Sequence, residues 1–325
     1  MPVLHKSDYK SPLFLSNGHL QTIYPSLFRK LIPPDYRRGR IATTDDDFID
    51  LDWSVTGSKN LAIISHGLEG STGRAYVVGM VNALNKAGVD ALAWNFRSCS
   101  GEPNLKFKIY HNGDTEDLHT VIKYALKERN YENVALIGFS MGGNITLSYL
   151  GTNSAGVDSN ISCAVVFSVP CDLKGSSAKL ASPQNKIYMK RFLRMLYKKV
   201  KQKEAQYPGL ISSANYNEIR NFYDFDNRYT APIHGFRDAD DYWLQCSSAR
   251  HLENIRIPVL IVNAANDPFL SESCYPVAIA EKSKEIYLEI PASGGHVGFI
   301  QFNKQKIYWS EKRALEFIGD RFAAK

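Results

Sequence analysis

Apolar residues along the chain fall into short runs separated by stripes at helical spacing. Leu61–Ser65 (LAIIS), Ala91–Phe96 (ALAWNF), Val134–Phe139 (VALIGF), Ile161–Val169 (ISCAVVFSV) and Pro258–Asn263 (PVLIVN) are nearly continuous apolar runs. Strands covered on both faces of a parallel sheet look like this. Phe48–Val55 (FIDLDWSV) alternates instead, as an exposed strand would, and Glu285–Ile290 reads as a last strand. Between them lie helical patterns. Ala75–Ala87 carries Tyr76, Met80, Leu84 and Ala87 on one face. A stripe of Leu118, Val121, Ile122, Ala125 and Leu126 follows Asp114, a residue placed to cap that helix. Ser271–Lys282 and Lys304–Phe322 read as two further helices. This alternation predicts an α/β chain with a mostly parallel central sheet and helices on both faces.

One interval breaks the rhythm. From Lys174 to Gln245 no strand pattern occurs, which is too long for an ordinary connection. The expectation is a core formed by residues 1–173 and 246–325, with residues 174–245 inserted as a helical cap, or lid. Inside the interval, Ile187–Lys201 (IYMKRFLRMLYKKVK) sets Met189, Leu193, Leu196 and Val200 on one face. Its lysines are expected in water, with weak contact to an anionic lipid surface as the sharper alternative.

Charge supports this local reading. The 325 residues carry a net charge of +6, but Lys186–Glu204 holds eight basic residues and one acidic residue. That segment accounts for +7 and leaves the rest at −1, so a nucleic-acid partner is not expected. Cys99, Cys163, Cys171, Cys246 and Cys274 are odd in number, with no C-x-x-C pair, so reduced thiols and a cytoplasmic setting are expected. Neither a secretory signal nor a transmembrane segment is apparent.

The chemistry begins at Ile137–Asn144, IGFSMGGN. A G-x-S-x-G pentapeptide between an apolar strand and a helix places its serine on a tight turn, where only small neighbours let the two arms pass. A plain helix cap is the competing meaning. A serine nucleophile needs a base, and the base needs an orienting acid, here in the chain order Ser, Asp, His. Asp267 follows PVLIVN, and His296 follows the last strand in a glycine-rich loop. Ser140, Asp267 and His296 are therefore the candidate triad. Asp172, after an earlier strand, is a second candidate for the acid. Ser65–Ser71 (SHGLEGS) follows LAIIS, so the backbone N–H groups of Leu68 and Met141 are the expected oxyanion donors. The loop reads HGLEG where some esterases have HGGG. No Gly-Lys-Ser/Thr, G-x-G-x-x-G or H-E-x-x-H occurs, and no cofactor or metal is expected.

Beyond the elbow, NGHLQTI (Asn17–Ile23), NFRSCSGEPN (Asn95–Asn104), YHNGDTEDL (Tyr110–Leu118), NDPFL (Asn266–Leu270) and GGHVGF complete a set. With it the chain resembles the YheT-like branch of the α/β-hydrolases from Asn17 to Phe299. The resemblance implies the α/β-hydrolase fold and hydrolysis of short- to medium-chain carboxylic esters, small-molecule substrates, through an acyl-serine. It carries the same triad. Acyl transfer to an alcohol, or ligand binding without turnover, are the alternatives. Three stretches gain no chemistry from it. Arg97 and Glu102 are expected to pair with one another, with a place at the pocket mouth as the alternative, His19 and Gln21 to tie an N-terminal arm to the core, and His111 to brace the loop before Asp114.

Overall fold

The computed structural model describes residues 3–4 and 7–323. Among the described residues, nine strands form one sheet: β1 (Val3–Leu4), β2 (Arg37–Ala42), β3 (Phe48–Ser54), β4 (Asn60–Ser65), β5 (Asp90–Trp94), β6 (Asn133–Phe139), β7 (Ile161–Phe167), β8 (Val259–Val262) and β9 (Ile286–Glu289). Their spatial order is β1-β9-β8-β7-β6-β4-β5-β3-β2. Pairing is parallel from β1 to β5, and antiparallel where β3 meets β5 and β2. The apolar runs are the parallel strands, and their residues pack into one core on each face of the sheet.

Helices α1 (Gly18–Phe28), α2 (Ala75–Lys86), α3 (Thr115–Glu128) and α4 (Met141–Thr152) precede the long interval. Between β7 and β8 the chain is helical: α5 (Leu173–Ala181), α6 (Lys186–Gln206), the single turns α7 (Phe222–Phe225) and α8 (Ala231–His234), and α9 (Ala239–Cys246). Then come α10 (Val277–Lys282) and α11 (Trp309–Ala323). Among the described residues, no helix is long and apolar enough to cross a membrane.

Several expectations are corrected. β3 is not exposed; every residue in it is buried. Its alternate carboxylates Asp50 and Asp52 are covered by Arg40 and Arg38 of β2, in bidentate pairs of 2.6–2.9 Å. β2 itself (RRGRIA) escaped the apolar pattern because half of it is arginine. Pro276 divides Ser271–Lys282 into a 3₁₀ turn at Glu272–Cys274 and the short α10. The closing helix starts at Trp309 rather than Lys304. Asp114 does not cap α3 with its side chain; its Oδ2 accepts the His111 N–H at 2.6 Å, and its Oδ1 lies 3.0 Å from His111 Nε2. The bracing expected of His111 is thus made, with Asp114 as its partner.

Arg97 and Glu102 do not meet. Glu102 pairs with Arg40 at the surface. Arg97 holds Asp117 through two bonds of 2.7 and 2.8 Å and reaches Asp45 at 2.8 Å and Asp47 at 3.2 Å. Asp47 also accepts from Asn104 Nδ2 and from the Leu105 and Lys106 amides, so this one guanidinium knits four chain segments together. Removing one partner of a buried ion network leaves uncompensated charge, at a cost of about 3–5 kcal/mol. Arg97→Met should therefore lower unfolding free energy by that order in urea titrations; a loss below about 1 kcal/mol would show the network to be peripheral.

Candidate active site

The parallel strands deliver loops to one edge of the sheet, where ligands gather in folds of this kind. At the end of β6, Ser140 adopts φ 53°, ψ −118°, a conformation that a residue with a Cβ avoids. Its N–H donates to the Phe167 carbonyl at 2.9 Å. The turn closes because its neighbours are glycines: a Cβ on Gly142 would collide with the Ser65 and His66 carbonyls, and one on Gly138 with Gly143. Gly67 presses against the serine itself, so that a Cβ there would lie 3.2 Å from Ser140 Cβ.

Ser140 Oγ lies 2.9 Å from His296 Nε2. His296 Nδ1 faces the Asp267 carboxylate at 2.9 and 3.1 Å. Carboxylate oxygens accept, so the proton belongs on Nδ1 and the lone pair on Nε2, aimed at the serine. Asp267 is buried and also accepts the Phe269 N–H at 2.9 Å, while the Phe269 ring packs on the imidazole 4.2 Å away. Asp172 is engaged elsewhere. It caps α5 through the Gly175 N–H at 3.2 Å and accepts the Ser273 hydroxyl at 2.5 Å.

The loop carrying Leu68 is held from four sides. The Tyr76 hydroxyl accepts the Gly67 N–H at 3.0 Å, and the Arg74 guanidinium donates to the Glu69 carbonyl at 2.7 Å. The Tyr110 hydroxyl accepts the Glu69 N–H at 2.9 Å and donates to Glu69 Oε1 at 2.6 Å. His66 is buried, its Nε2 accepting the Phe96 N–H at 3.1 Å, and burial pushes it down to about 3, so it stays neutral as a strut between two loops. Leu68 and Met141 both border the cavity beside Ser140 and His296.

That cavity measures about 110 Å³. Leu173, Leu180, Phe192, Leu196, Phe222 and Phe225, all from the segment between β7 and β8, make an apolar wall. Asn112, Thr230, His234 and Tyr242 also line the cavity. α6 confirms the expected apolar face, since Met189, Leu193, Leu196 and Val200 are buried. Two of its lysines are not in water, however. Lys199 Nζ donates to the Ser98 carbonyl at 2.6 Å and lies 3.6 Å from Glu69 Oε1, while Lys203 Nζ donates to the Asn104 carbonyl at 2.9 Å. Both hold α6 on the loop after β5, where the ammonium groups satisfy carbonyls that an apolar side chain would strand.

Sequence reasoning missed the role of Thr22, whose Oγ1 accepts the His296 N–H at 2.8 Å. α1 thereby packs directly behind the histidine loop, where a Cβ on Gly295 would strike Gly18 and Gln21. The only signal was the NGHLQTI stretch, whose chemistry the sequence left blank. His19 does not bind the core as expected: its Nδ1 lies 3.1 Å from the Tyr188 hydroxyl of α6, within the segment between β7 and β8, while Gln21 Oε1 accepts from Tyr9 at 3.0 Å.

Comparison with known proteins agrees with this architecture. A family model described as alpha/beta hydrolase fold matches residues 62–302. The chain is 36% identical over 317 residues to the Escherichia coli protein named "Putative esterase YheT", covering 95% of this chain and 92% of that one. It is 28% identical to the mouse protein named "Phospholipase ABHD3", covering 86% and 70%. Among solved structures, the Pyrococcus furiosus esterase Pf2001 superposes with a TM-score of 0.61 at 18% identity, covering 96% of this chain and 100% of that chain. At that identity the likeness is one of fold.

Asp226 also borders the cavity, and its oxygens accept from Thr230 Oγ1 at 2.6 Å and Trp243 Nε1 at 2.8 Å. Burial pushes its carboxyl up to about 6. A carboxyl raised above its unfolded value of about 3.9 favours folding at low pH and loses that contribution as pH climbs through its folded pKa. Relative to Asp226→Asn, the wild-type protein should therefore lose roughly 2–3 kcal/mol of stability between about pH 4 and pH 7. Parallel urea titrations of the two proteins across that range check it; curves that stay parallel would refute it.

Proposed function

The chain belongs to the α/β-hydrolase family, in its YheT-like branch, and from that membership we propose that it is a serine carboxylesterase with Ser140, His296 and Asp267 as its triad. One observation carries the reading: a strained serine within hydrogen-bond reach of a histidine, itself oriented by a buried carboxylate, at the wall of a largely apolar cavity. Ser140 Oγ attacks the ester carbonyl while His296 Nε2 takes its proton. The carbonyl oxygen becomes an oxyanion facing the N–H groups of Leu68 and Met141, the second at the start of α4 where the helix dipole favours negative charge. Collapse of the tetrahedral intermediate breaks the bond to the alcohol, which leaves with the proton from His296. Water, deprotonated by the same histidine, then releases the acid and restores Ser140.

The segment 174–245 acts as a cap on the core of residues 1–173 and 246–325, and its apolar wall holds the acyl chain. Asn185 Nδ2 donating to the Pro268 carbonyl at 2.6 Å, and Ser176 Oγ to the Phe269 carbonyl at 2.8 Å, support a coupling between cap and the loop of Asp267.

Ser140→Ala should lower kcat by about a million-fold and Asp267→Asn by about ten-thousand-fold, with Asp172→Asn changing it far less. Assays on p-nitrophenyl butyrate check this; residual activity within tenfold in Ser140→Ala, or a larger loss for Asp172→Asn than for Asp267→Asn, overturns the assignment. In a closed apolar pocket each added methylene contributes about 0.8 kcal/mol only while it fits. Across p-nitrophenyl esters from acetate to palmitate, kcat/KM should peak between butyryl and octanoyl. A monotonic rise to palmitate would mean an open or longer acyl site.

A further inference from the structure

The loop that carries His296 stands in a conformation its own residues resist. Val297 has φ 57° and Phe299 φ 40°, left-handed values that a residue with a Cβ avoids, most strongly when it is β-branched like valine. A non-glycine residue held there costs about 1–3 kcal/mol and persists only where its surroundings over-determine it.

Three side chains do so. The backbone N–H groups of residues 295, 296 and 297 are consecutive, and each donates to a side-chain oxygen from a different part of the chain. Gly295 N–H donates to Asn266 Oδ1 at 3.0 Å, His296 N–H to Thr22 Oγ1 at 2.8 Å, and Val297 N–H to Ser168 Oγ at 2.8 Å. A loop of this kind has no neighbouring strand to satisfy its amides, so side chains take that part. Each acceptor is itself fixed. Asn266 Nδ2 donates to the Ser16 carbonyl at 2.8 Å. The Thr22 hydroxyl donates to the Gly18 carbonyl at 2.7 Å, which leaves a lone pair for the His296 amide. Ser168 is buried just past β7, itself at φ 53°, and its N–H donates to the Val262 carbonyl at 2.8 Å.

Two of these acceptors adjoin residues that hold the reacting groups. Ser168 follows Phe167, whose carbonyl accepts the Ser140 N–H at 2.9 Å, so neighbouring residues hold the nucleophile's turn and the histidine's loop. Asn266 precedes Asp267, so one residue holds the loop's backbone and the next its imidazole. The 2.9 Å separation of Ser140 Oγ and His296 Nε2 is thereby set through short chains of bonds.

We propose that Thr22, Ser168 and Asn266 are positioning residues, which hold His296 against Ser140 by capturing three successive amides of its loop. This rests on the serine esterase reading given above. None of the three lines the cavity, so their effect falls on proton transfer and not on ester binding. Misplacing a reacting group by about 1 Å costs on the order of a hundredfold in rate.

Thr22→Val keeps the shape of the side chain and removes the acceptor, whereas Thr22→Ser keeps the acceptor. On p-nitrophenyl butyrate, folded Thr22→Val, Ser168→Ala and Asn266→Ala should each lower kcat by roughly 10- to 100-fold while KM moves less than about twofold. Labelling of Ser140 by a fluorophosphonate, which needs the same histidine but no ester, should slow by a similar factor. Thr22→Ser should stay within about threefold of the wild-type protein in both assays. Circular dichroism and melting temperature check folding, and if Ser168→Ala or Asn266→Ala fails to fold, the Thr22 pair decides. A folded variant that keeps kcat within about threefold would overturn the role given to that residue. A loss in Thr22→Ser as large as that in Thr22→Val, or a loss confined to KM, would overturn the proposal and leave the esterase reading intact. No labelling of the wild-type protein, with no hydrolysis of the ester, would overturn both.

Discussion

The site depends on one strained turn. Ser140 is held at positive φ between β6 and α4, a conformation that costs about 1–3 kcal/mol and persists only where the surroundings over-determine it. Here the surroundings are backbone. The loop after β4 lies so close to the start of α4 that Gly142 has no room for a methyl group, and Gly67 sits against the serine. The same approach that strains the serine sets the Leu68 loop beside it, so nucleophile and neighbouring amides are fixed by one contact. The remaining groups arrive on other strand ends: the acid after β8, the histidine after β9 and, behind the histidine, α1 with Thr22.

The segment between β7 and β8 is held to this frame by polar contacts as well as by its apolar face. Lys199 and Lys203 reach the Ser98 and Asn104 carbonyls from α6, and Asn185 and Ser176 hold the carbonyls just beyond Asp267. A charged helix face here is structural glue. It also explains why the basic cluster of Lys186–Glu204 is less exposed than its composition implies, although Lys190, Arg191, Arg194 and Lys198 do remain in water.

Legibility followed the physical origin of each feature. Continuous apolar runs can be buried on both faces in few ways, so the parallel strands and their order along the chain were readable. G-x-S-x-G, and an Asp and a His each just past a strand, were readable because strand ends converge on one edge of the sheet. Features that depend on a distant partner were not. β3 looked exposed because Asp50 and Asp52 alternate with apolar residues, and only β2, itself masked by arginines, shows them covered. Arg97 and Glu102 lie five positions apart and invited pairing, yet the carboxylates of Asp45, Asp47 and Asp117 reach the guanidinium from two other segments.

The sequence by itself determined the parallel strands from β4 to β9, the serine turn and the order of the residues around it, because periodicity, glycine and chain order act locally or through one shared sheet edge. Tertiary structure alone decided which carboxylates Arg97 neutralises and that two lysines of a basic helix are buried. It alone brought Thr22 behind His296. Those outcomes turn on which side chains from remote segments meet within hydrogen-bond distance, a quantity that no local pattern encodes.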